Sequence, residues 1–415
     1  MKILHVNSSD TYGGAARAAY RLHYSLRNTG IDSCMMVQEK ATTDDAVIGP
    51  GGLVTKSLAR VRPYAEAYAF RYLGSGAKIV FSPSWLGMPG VSRGIATQNP
   101  DIVHLHWISG GMLRAVDLPA IRQPIVWTLH DMWPFTGGCH YTGGCQRYMQ
   151  QCGNCPHLNR SGEHDTSRKL HRRKQEGWAS LRMTIVTPSR WMAERARESS
   201  LFAGRRIEII ANGLDLGRFS PGDQMLARAS LDLPQDKDLL LFGAINATSD
   251  QRKGFDLLFT ALQKLDIKYR ENTQLVVFGS AKQRKLVEFG LPVHYMGKIH
   301  EDERLATIYR AVDAMVVPSR EDNLPNTAVE AIACGTPVVG FDIGGMPDIV
   351  NHQQNGYLAA AEDTAELAKG IEWMLADKTR RDRLAEQARV KARDCFDEAA
   401  TAAQYRSLYQ SLLLL

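Results

Sequence analysis

Short apolar runs alternate along the chain with stretches in which apolar residues recur at helical spacing. The first half holds the runs "MKILHVN", "DSCMMVQ", "DIVHLHW", "PIVWTLHD" and "MTIVTPS", and "GGAARAAYRLHYSLRNTG" is its clearest helical stretch. Apolar strands separated by helices are typical of a parallel sheet that is covered on both faces. The first half is therefore predicted to be a doubly wound α/β domain.

The second half repeats this pattern. Its apolar runs are "LLLFGAIN", "TQLVVFGS", "VHYMG", "DAMVVPS" and "TPVVGFD", with the helical stretch "FDLLFTALQKL" after the first run. The segment "ANGLDLGRFSPGD" between the halves is rich in Gly, Asn and Asp, as linkers are. The terminal "DEAATAAQYRSLYQSLLLL" is predicted to form a helix with an apolar face. We expect two doubly wound domains facing across a cleft, with ligands at the carboxyl ends of the strands.

Length and charge limit the possible classes of protein. A chain of 415 residues is too long for one core, and 44% hydrophobic with 23% charged residues is ordinary for a soluble enzyme. The net charge of +6 suits a protein that handles phosphates or an anionic surface, and is too weak to indicate nucleic-acid binding. The N-terminal apolar run of about five residues is shorter than a secretory signal requires. We expect a cytoplasmic protein.

Residues 56–71 form a basic amphipathic stretch. Leu58, Val61, Ala65 and Tyr68 alternate at helical spacing with Lys56, Arg60, Arg62 and Arg71, and Pro63 is expected to kink or split the helix. Such a helix can lie on the inner face of a membrane, which makes peripheral membrane contact one prediction. A solvated helix face is the alternative.

Two motifs in the first half follow apolar strands. Gly13 and Gly14 come after the first strand and open a helix, where glycines let a ligand approach the helix N-terminus; an ordinary turn is the alternative. His130 ends the strand of "TLHDMWPF", where it could donate to a ligand hydroxyl or carbonyl. A half-buried histidine satisfied by backbone is the alternative there. Neither a GxGxxG motif nor a Walker A motif is present, which disfavours a dinucleotide or ATP site.

The segment "ATSDQRKGFDLL" places two cations directly before a predicted helix. Arg252 and Lys253 at a helix N-terminus would make a suitable clamp for a pyrophosphate. The alternative is a solvated loop, since a single basic pair usually lies at the surface.

The segment "PSREDNLPNTAVEAIACGTPVVGF" places acids in a loop and then another acid on an apolar helix. We predict a loop over 321–323 and a helix from Leu324 onward, with Asn323 as its cap. Asp322 and Glu330 lie eight residues apart, so they could flank one ligand at the helix start. The alternative is a cap-region acid and a surface acid.

Taken together, these motifs resemble the family 4 retaining glycosyltransferases with a GT-B fold. The likeness rests on Gly13-Gly14, "NGLD", "RKGFDLL", "DNLPNTAVEAIACGTPVV" and "GGMPDIV" followed by "NGYL", and covers essentially the whole chain. The block "TLHDMWPFTGGCHYTGGCQRYMQQCGNCPHL" resembles the branch that builds bacterial exopolysaccharide, such as the colanic acid glycosyltransferases. The resemblance implies an acceptor-side domain over 1–215, a nucleotide-sugar domain over 216–393, and a helix over 394–415 that crosses back to the first domain.

The resemblance also implies a role for each motif. His130 and Asp322 would lie at the donor sugar, Arg252 and Lys253 would hold the diphosphate, and Glu330 would hold the nucleotide ribose. The remaining donor-binding positions would leave room for phosphate and sugar or bind sugar hydroxyls through their amides: Gly13, Gly14, Asn323, Leu324, Pro325, Asn326 and Thr327. The implied function is transfer of a hexose from a nucleotide diphosphate sugar to a hydroxyl of a lipid-linked oligosaccharide, with retention and without a catalytic cofactor or metal.

The chain departs from the family pattern at two places. The first acid of the family's paired-glutamate signature is shortened to Asp322, and Glu321 is the alternative for that role. Many relatives carry an arginine about five residues before the lysine, where this chain has Ala247 and Thr248. A different GT-B sugar-nucleotide enzyme, an epimerase or a phosphorylase, is the alternative function.

Four of the seven cysteines fall within a short segment of the first domain. Cys139, Cys145, Cys152 and Cys155 lie in a cysteine-rich insertion over 137–160, with the last two in a C-x2-C pair. Clustered cysteines in a cytosolic enzyme favour a metal over disulfides, and four thiolates suit a structural zinc ion. A reversible redox pair or reduced thiols are the alternatives.

Overall fold

The chain folds into two compact units, each with its own sheet. The structure is a computed structural model that describes residues 1–72, 76–243, 250–279 and 290–414. Unit 1 comprises Met1–Gly213 together with Ala399–Leu415, and unit 2 comprises Leu214–Glu398. Ala247 and Thr248, where the sequence departs from the family pattern, lie outside the described residues.

Unit 1 is built on a parallel sheet of seven strands in its described part. The strand order is β3-β2-β1-β4-β5-β6-β7, so the first strand lies near the centre and the order reverses beside it. The strands are β1 (Lys2–Ser9), β2 (Asp32–Glu39), β3 (Val47–Ile48), β4 (Ile102–Leu105), β5 (Ile125–Thr128), β6 (Met183–Thr187) and β7 (Ile207–Ile209).

The strands of unit 1 are connected largely through helices. These are α1 (Gly14–Asn28), α2 (Leu53–Tyr72), α3 (Val91–Gln98), α4 (Thr166–Trp178) and α5 (Arg190–Glu198), with 3-10 turns at Ala115–Ala120, Trp133–Phe135 and Arg147–Met149. Consecutive residues of β1 point to opposite faces of the sheet, and both Ile3 and Leu4 are fully buried. Burial on both faces explains why the strands appear in the sequence as continuous apolar runs.

Unit 2 repeats the arrangement with six described parallel strands in the order β10-β9-β8-β11-β12-β13. The strands are β8 (Asp238–Gly243), β9 (Thr273–Phe278), β10 (Val293–Gly297), β11 (Ala314–Val317), β12 (Val338–Phe341) and β13 (Gly356–Ala359). The helices are α6 (Gln224–Ser230), α7 (Phe255–Gln263), α8 (Ile267–Asn272), α9 (Asp302–Ala311), α10 (Asn326–Ala333), α11 (Met346–Ile349), α12 (Thr364–Leu375) and α13 (Lys378–Phe396), with a 3-10 turn at Gln251–Lys253. The predicted fold class of two doubly wound α/β sheets is confirmed.

The C-terminal helix returns to the first sheet, as predicted. Helix α14 (Glu398–Leu413) packs Tyr405 and Tyr409 against buried residues of β1, β5 and β6. The Tyr409 hydroxyl lies 2.7 Å from Nδ1 of His104, and the Tyr405 hydroxyl lies 2.8 Å from the hydroxyl of Thr128. The helix therefore covers one face of the unit 1 sheet through both apolar and polar contacts.

Helix α2 differs from its prediction in one respect. It runs without interruption from Leu53 to Tyr72 although Pro63 lies inside it, so the expected split does not occur. Its buried residues are Ala59, Glu66 and Phe70. None of the helices in the described ranges is long and apolar enough to cross a membrane.

Candidate active site

The sequence motifs of unit 2 meet where its sheet reverses strand order. Strands β8 and β11 are neighbours, and the order changes direction between them. Because ligands of doubly wound sheets bind at the carboxyl ends of such strands, the loops that follow β8 and β11 are the expected binding site. Arg252 and Lys253 belong to the first loop, and residues 318–325 form the second.

A cluster of opposite charges lies between these two loops. Nζ of Lys253 contacts the carboxylate of Asp322 at 2.6 Å, and Nη1 of Arg252 lies 3.4 Å from the same carboxylate oxygen. Arg252 also donates to the backbone carbonyl oxygen of Glu321 at 2.9 Å. The Asp322 side chain is only 9% exposed and that of Lys253 only 18%. The two cations and the acid named from the sequence are therefore brought together in a partly buried site.

The charge state of Asp322 follows from its partners. Burial alone would raise the pKa of this carboxyl, but the positive charges of Lys253 and Arg252 and a hydrogen bond from the Asn323 amide outweigh it. The net effect lowers the pKa of Asp322 below its ordinary value, so the group is ionised at neutral pH.

Two glycines, one in the loop after β8 and one in the loop after β12, allow close approach to the loop after β11. Gly254 has a φ of +68°, and a Cβ there would lie 1.8 Å from the carbonyl oxygen of Pro318. Gly344 has a φ of +55°, and a Cβ there would lie 2.0 Å from the carbonyl oxygen of Asp322. A backbone hydrogen bond of 2.8 Å from the N–H of Arg320 to the carbonyl oxygen of Arg252 also joins the loops after β8 and β11. Side chains at these glycine positions would force the loops apart.

The predicted start of the helix in this segment is wrong by two residues. Helix α10 begins at Asn326, and Pro325 is its N-cap, with φ −65° and ψ 108° and no side-chain cap. A residue that precedes proline is disfavoured in the helical conformation, which keeps Leu324 out of the helix. Asn323 is buried and is not the cap; its amide donates to the carboxylate of Asp322. Asn326 and Thr327 are half-buried at the helix start.

Glu330 is buried within the first turns of α10. Only 3% of it is exposed, so the alternative of a surface acid is wrong. The Tyr309 hydroxyl of α9 donates to Oε2 of Glu330 at 2.9 Å. The threonine hydroxyl of Thr336 in turn donates to the Tyr309 carbonyl oxygen at 2.7 Å. The carboxylate is therefore held in one orientation by a neighbouring helix.

The glycine motif of unit 1 lies at the start of α1. Gly13 is the N-cap with a φ of +98°, and Gly14 is the first residue of the helix. A Cβ at Gly13 would meet no atom within 4 Å. The positive φ explains the glycine, and the open space beside it is compatible with a ligand at this helix N-terminus.

His130 ends a chain of three hydrogen-bonded histidines. Nε2 of His130 lies 3.1 Å from Nδ1 of His106, and Nε2 of His106 lies 3.0 Å from Nδ1 of His5. Burial lowers the pKa of His130 to about 4, with Asp131 opposing the effect, and burial also lowers the pKa of His5 and His106 well below the ordinary value. All three rings are therefore neutral at pH 7.

His5, at the other end of this row of hydrogen-bonded histidines, determines which ring nitrogen of each histidine carries the proton. Nε2 of His5 is buried and has no hydrogen-bond partner in the described part of the chain. An unpaired acceptor is tolerated more readily than an unpaired N–H, so we assign the proton of His5 to Nδ1. His5 then donates to His106, and His106 donates to His130. His130 consequently carries its own proton on Nδ1, as a neutral hydrogen-bond donor.

Asp131, which follows His130, accepts hydrogen bonds from other groups of unit 1. Oδ2 of Asp131 accepts from Nδ1 of His140 at 2.6 Å and from Nε1 of Trp107 at 2.7 Å, and Oδ1 accepts from the Trp133 amide at 2.9 Å. Although burial raises the pKa of Asp131, His140 and these donors outweigh it, and the net pKa is lowered. Asp131 therefore fixes the turn that follows β5.

One group of histidines has the spacing of a metal site but another function. The ligand atoms of His5, His104 and His106 all lie within 4.8 Å of one another, and this is the sole such group within the described ranges. Both ring nitrogens of His104 are already bonded, to Tyr409 and Thr128. We therefore interpret the group as a buried hydrogen-bond network.

The four cysteines of the insertion line a single cavity of unit 1. Cys139, Cys145, Cys152 and Cys155 are all free of disulfide bonds, and the first and last are buried.

Sequence reasoning identified the acids, cations and glycines of the site but missed the residues that hold them. Tyr309 carries no sequence signal, because its role depends on the packing of α9 against α10. His106 had a weak signal, since "HLHW" and "TLHD" end adjacent strands β4 and β5 with a histidine each. Gly13, Gly14 and His130 belong to unit 1, and the other residues predicted to bind the donor belong to unit 2.

Comparisons with known proteins agree on one family. The profile described as "Glycosyltransferase Family 4" matches residues 12–218, and that described as "Glycosyl transferases group 1" matches residues 226–391. A D-inositol 3-phosphate glycosyltransferase of Xylanimonas cellulosilytica is 37% identical over 215 residues, which cover 48% of this chain and 50% of that protein. A second enzyme of that name, from Catenulispora acidiphila, is 29% identical over 344 residues, covering 77% of this chain and 73% of its own. The chain thus spans about half the length of the first of these relatives.

Solved structures share the fold over the full length. Sucrose-phosphate synthase from Thermosynechococcus elongatus is similar with a TM-score of 0.70 at 20% identity, covering 100% of both chains. HepE of Anabaena in complex with UDP and glucose gives a TM-score of 0.68 at 18% identity, covering 99% of this chain and 100% of its own. A lipopolysaccharide-biosynthesis glycosyltransferase, WaaG, gives 0.65 at 15% identity and covers 98% of this chain and 99% of its own.

Proposed function

Because the chain belongs to the family 4, group 1 glycosyltransferases, we propose that it transfers a hexose from a nucleotide diphosphate sugar to a hydroxyl group of an acceptor. The observation that carries this proposal is the buried contact of Lys253 and Arg252 with Asp322 at the carboxyl ends of β8 and β11. Structures of the similar HepE protein hold UDP and UDP-glucose, which supports a UDP-hexose as the first donor to test.

We assign the donor-binding groups of unit 2 by their chemistry. Arg252 and Lys253 bind the diphosphate, because cations near a helix start suit phosphate oxygens. Glu330 accepts from the ribose hydroxyls, since a buried and oriented carboxylate is a good partner for a pair of hydroxyls. Asp322 and the amides from Asn323 to Asn326 contact the sugar.

The reaction is written as a substitution with retention. The bond between the anomeric carbon and the diphosphate oxygen breaks, and a bond to the acceptor oxygen forms on the same face of the sugar. The departing phosphate oxygen takes the proton of the acceptor hydroxyl. Arg252 and Lys253 stabilise the charge that develops on the diphosphate, and we propose that these two positive charges serve in place of a divalent metal ion. His130, as a neutral donor, binds a sugar hydroxyl.

The test compares the donor-site residues with wild type. We expect Lys253→Ala to lower kcat by about 100-fold or more, the typical loss when a group that stabilises developing charge is removed. Glu330→Ala is expected to abolish transfer while the fold is kept. Transfer is measured with radiolabelled UDP-, GDP-, ADP- and dTDP-hexoses, after a thermal-shift screen of the same donors. Wild-type turnover by both variants would refute the donor site.

A matched pair of variants decides which acid takes the role at the sugar. We propose Asp322, because its carboxylate contacts Lys253 and Arg252 while the nearby Glu321 contributes a backbone carbonyl to Arg252. Asp322→Asn is expected to lose most transfer activity, and Glu321→Gln is expected to keep it. The reverse result would assign the role to Glu321.

We propose a lipid-linked oligosaccharide of an exopolysaccharide pathway as the acceptor. The names of the similar D-inositol 3-phosphate glycosyltransferases favour a second candidate, a soluble phosphorylated polyol. Parallel assays with a lipid-linked sugar and with inositol 3-phosphate distinguish the two. Interconversion or phosphorolysis of the donor, without transfer to either acceptor, would instead indicate the epimerase or phosphorylase.

Helix α2 supports the lipid-linked acceptor through its exposed face. Opposite its buried residues it presents an apolar stripe to solvent: Leu53, Val54, Leu58, Val61, Tyr64, Tyr68 and Tyr72, each at least 54% exposed. Exposed helix faces are ordinarily polar, and here Lys56, Arg60 and Arg71 flank the stripe. An apolar face flanked by cations suits the surface of an anionic membrane. We therefore propose that α2 attaches the protein peripherally to such a membrane.

Flotation with liposomes tests this attachment. Wild-type protein is expected to float with vesicles that contain anionic lipid and to remain below with neutral vesicles. Val61→Glu is expected to abolish flotation, whereas Leu226→Glu, at a position of unit 2 that is 70% exposed, is expected to leave it unchanged. Equal flotation of both variants would assign α2 to a solvated surface instead.

A further inference from the structure

The cysteine-rich insertion brings four thiols around one cavity that the proposed transfer reaction does not use. The cavity measures about 20 Å³ and is lined by Cys139, Cys145, Cys152 and Cys155, together with His157. A volume of this size holds about one water molecule or ion. In sequence the four thiols are spread over residues 139–155, so their convergence is a property of the folded insertion.

The backbone of the C-x2-C pair has positive φ at three consecutive residues beside this cavity. Cys152, Gly153 and Asn154 have φ values of +54°, +90° and +45°. Three consecutive residues with positive φ are unfavourable for ordinary side chains and persist where the surrounding structure requires them. A Cβ at Gly153 would lie 2.6 Å from the Glu163 carbonyl oxygen, so only glycine fits there.

Backbone amides donate to the sulfur atoms of this pair. Cys155 accepts from the amides of His157 and Leu158, and Cys152 accepts from the amide of Gly137. Burial nevertheless raises the pKa of both thiols, so the evidence for a metal site here is the geometry of the cluster.

A buried lysine lies beside the cluster. Lys174 is fully buried, and burial lowers its pKa to about 7, while negative charge at Cys152 or Cys139 opposes this effect. Its ammonium group donates to the carbonyl oxygens of Trp133 and Thr136. Four thiolates around one divalent ion carry a net charge of −2, and a neighbouring ammonium group offsets part of it. A lysine that offsets part of that charge when protonated therefore lies beside the cluster.

We propose that Cys139, Cys145, Cys152 and Cys155 bind one structural zinc ion. Four sulfur ligands in a closed site are the usual chemistry of structural zinc. Within the described ranges no three of the sulfur atoms lie within 4.8 Å of one another. Sulfurs around one zinc ion are about 3.8 Å apart for bonds of about 2.3 Å, so the side chains rotate inward on binding. Cys145 and Cys152 are only half-buried, which leaves them room to do so.

The zinc site would support the turn that carries His130. Cys139 precedes His140, whose Nδ1 donates to Asp131 at 2.6 Å, and Asp131 follows His130 directly. The Cys139 backbone also pairs with that of Phe81, and His140 Nε2 lies 2.8 Å from the Ser82 hydroxyl. Fixing Cys139 therefore fixes the partners of Asp131.

Metal analysis of the purified full chain tests the proposal. We expect wild-type protein to hold one equivalent of zinc and Cys145→Ser to hold at most half an equivalent. The matched control Cys395→Ser, at an exposed position outside the cluster, is expected to hold a full equivalent. Thiol titration is expected to gain four reactive thiols when zinc is removed with a chelator. Cobalt(II) in place of zinc is expected to give a thiolate charge-transfer band and the visible bands of tetrahedral coordination.

Two results would overturn the assignment. The first is a zinc content below a tenth of an equivalent in the purified protein, together with no increase in that content when zinc is added. The other is a disulfide between cluster cysteines, detected as a mass two daltons lower in the native protein. Because Cys145 is half-exposed, Cys145→Ser is expected to fold, and circular dichroism checks this. If it does not fold, chelator treatment of wild-type protein with the thiol and cobalt readouts gives the same decision.

Discussion

At the scale of single residues, the chemical groups of the site are held by neighbours that take no direct part. Tyr309 orients Glu330 with one hydrogen bond of 2.9 Å, and His106 sets the proton position of His130. Tyr309 has no sequence signal, and that of His106 is weak. Their effect is geometric, because an acid or an imidazole recognises a ligand only when its lone pair or proton points the right way.

Removing one hydroxyl tests the orientation of Glu330. We expect Tyr309→Phe to raise the KM for the donor about tenfold with little change in kcat, and to lower the free energy of unfolding by roughly 2 kcal/mol, since a bond to a charged group is lost. Steady-state kinetics and thermal unfolding measure both. Tyr357→Phe, on β13, is the control and is expected to leave KM unchanged. An unaltered KM in Tyr309→Phe would remove Tyr309 from the donor site.

The tautomer of His130 can be observed directly. Selective ¹⁵N-histidine labelling is expected to show His130 protonated on Nδ1 at pH 7 and neutral until the pH approaches its pKa of about 4. The signal is identified by its absence in His130→Gln. His106→Phe is expected to change the ¹⁵N shifts of His130 because it removes the partner of Nε2. A proton on Nε2 in wild type would reverse the assigned direction of the chain.

At the scale of elements, the two loops after β8 and β11 make the site by passing close to each other. Gly254 permits this approach, Gly344 of the loop after β12 lets that third loop pass close to Asp322, and the salt bridges from Lys253 and Arg252 join the first two loops. Doubly wound sheets bring these two loops together because the strands are adjacent in space and not in sequence. Glycines in such loops are therefore requirements of packing as well as of backbone conformation.

A pair of glycine variants separates these two requirements. Gly254 and Gly290 have nearly the same φ, +68° and +71°, but a Cβ at Gly290 would meet only the Arg270 side chain, at 4.0 Å. Gly290→Ala is expected to destabilise by about 1 kcal/mol through its backbone alone. Gly254→Ala is expected to cost roughly 3 kcal/mol or more, because the clash with Pro318 adds to it. Calorimetry measures both, and equal losses would contradict the clash.

At the scale of the whole molecule, the two units differ in their buried titratable groups. Burial lowers the pKa of His23 and His171 to about 4, as for His130, and lowers that of His5, His104 and His106 well below the ordinary value. All six belong to unit 1. Unit 2 relies more on ionised carboxylates such as Asp322, whose pKa is lowered.

These differences predict that unit 1 is lost first in mild acid. In the unfolded chain histidines bind protons below a pH of about 6.5, whereas these six stay neutral in folded unit 1. The contribution of these groups to stability is therefore complete above that pH and declines as the pH falls from there toward 4. The contribution of Asp322 to stability declines only when the pH falls below the ordinary pKa of an aspartate carboxyl, because its pKa in the folded protein is lowered. Tryptophan fluorescence reports the order, since six of the seven tryptophans are in unit 1 and Trp373 is in unit 2.

A variant of one buried histidine checks the cause. His23→Gln is expected to move the acid transition of unit 1 to lower pH by a few tenths of a unit, because one protonation no longer favours unfolding. His294→Gln in unit 2 is the control and is expected to leave that transition in place. If unit 2 were to unfold first, or if wild type showed no change between pH 6.5 and 4, the assignment of neutral buried histidines would be wrong.

The sequence by itself determined the elements and the chemical groups of this protein. Apolar runs specify parallel strands because both faces of the sheets are buried, and the acids, cations and glycines stand out because their types suit phosphates and sugars. Only the tertiary structure decided the contacts: Lys253 on Asp322, Tyr309 on Glu330, and the histidine chain behind His130. It also shows that α10 begins at Asn326 and that the apolar stripe of α2 faces solvent. These features depend on which distant segments pack together, and local residue preferences carry no information on that.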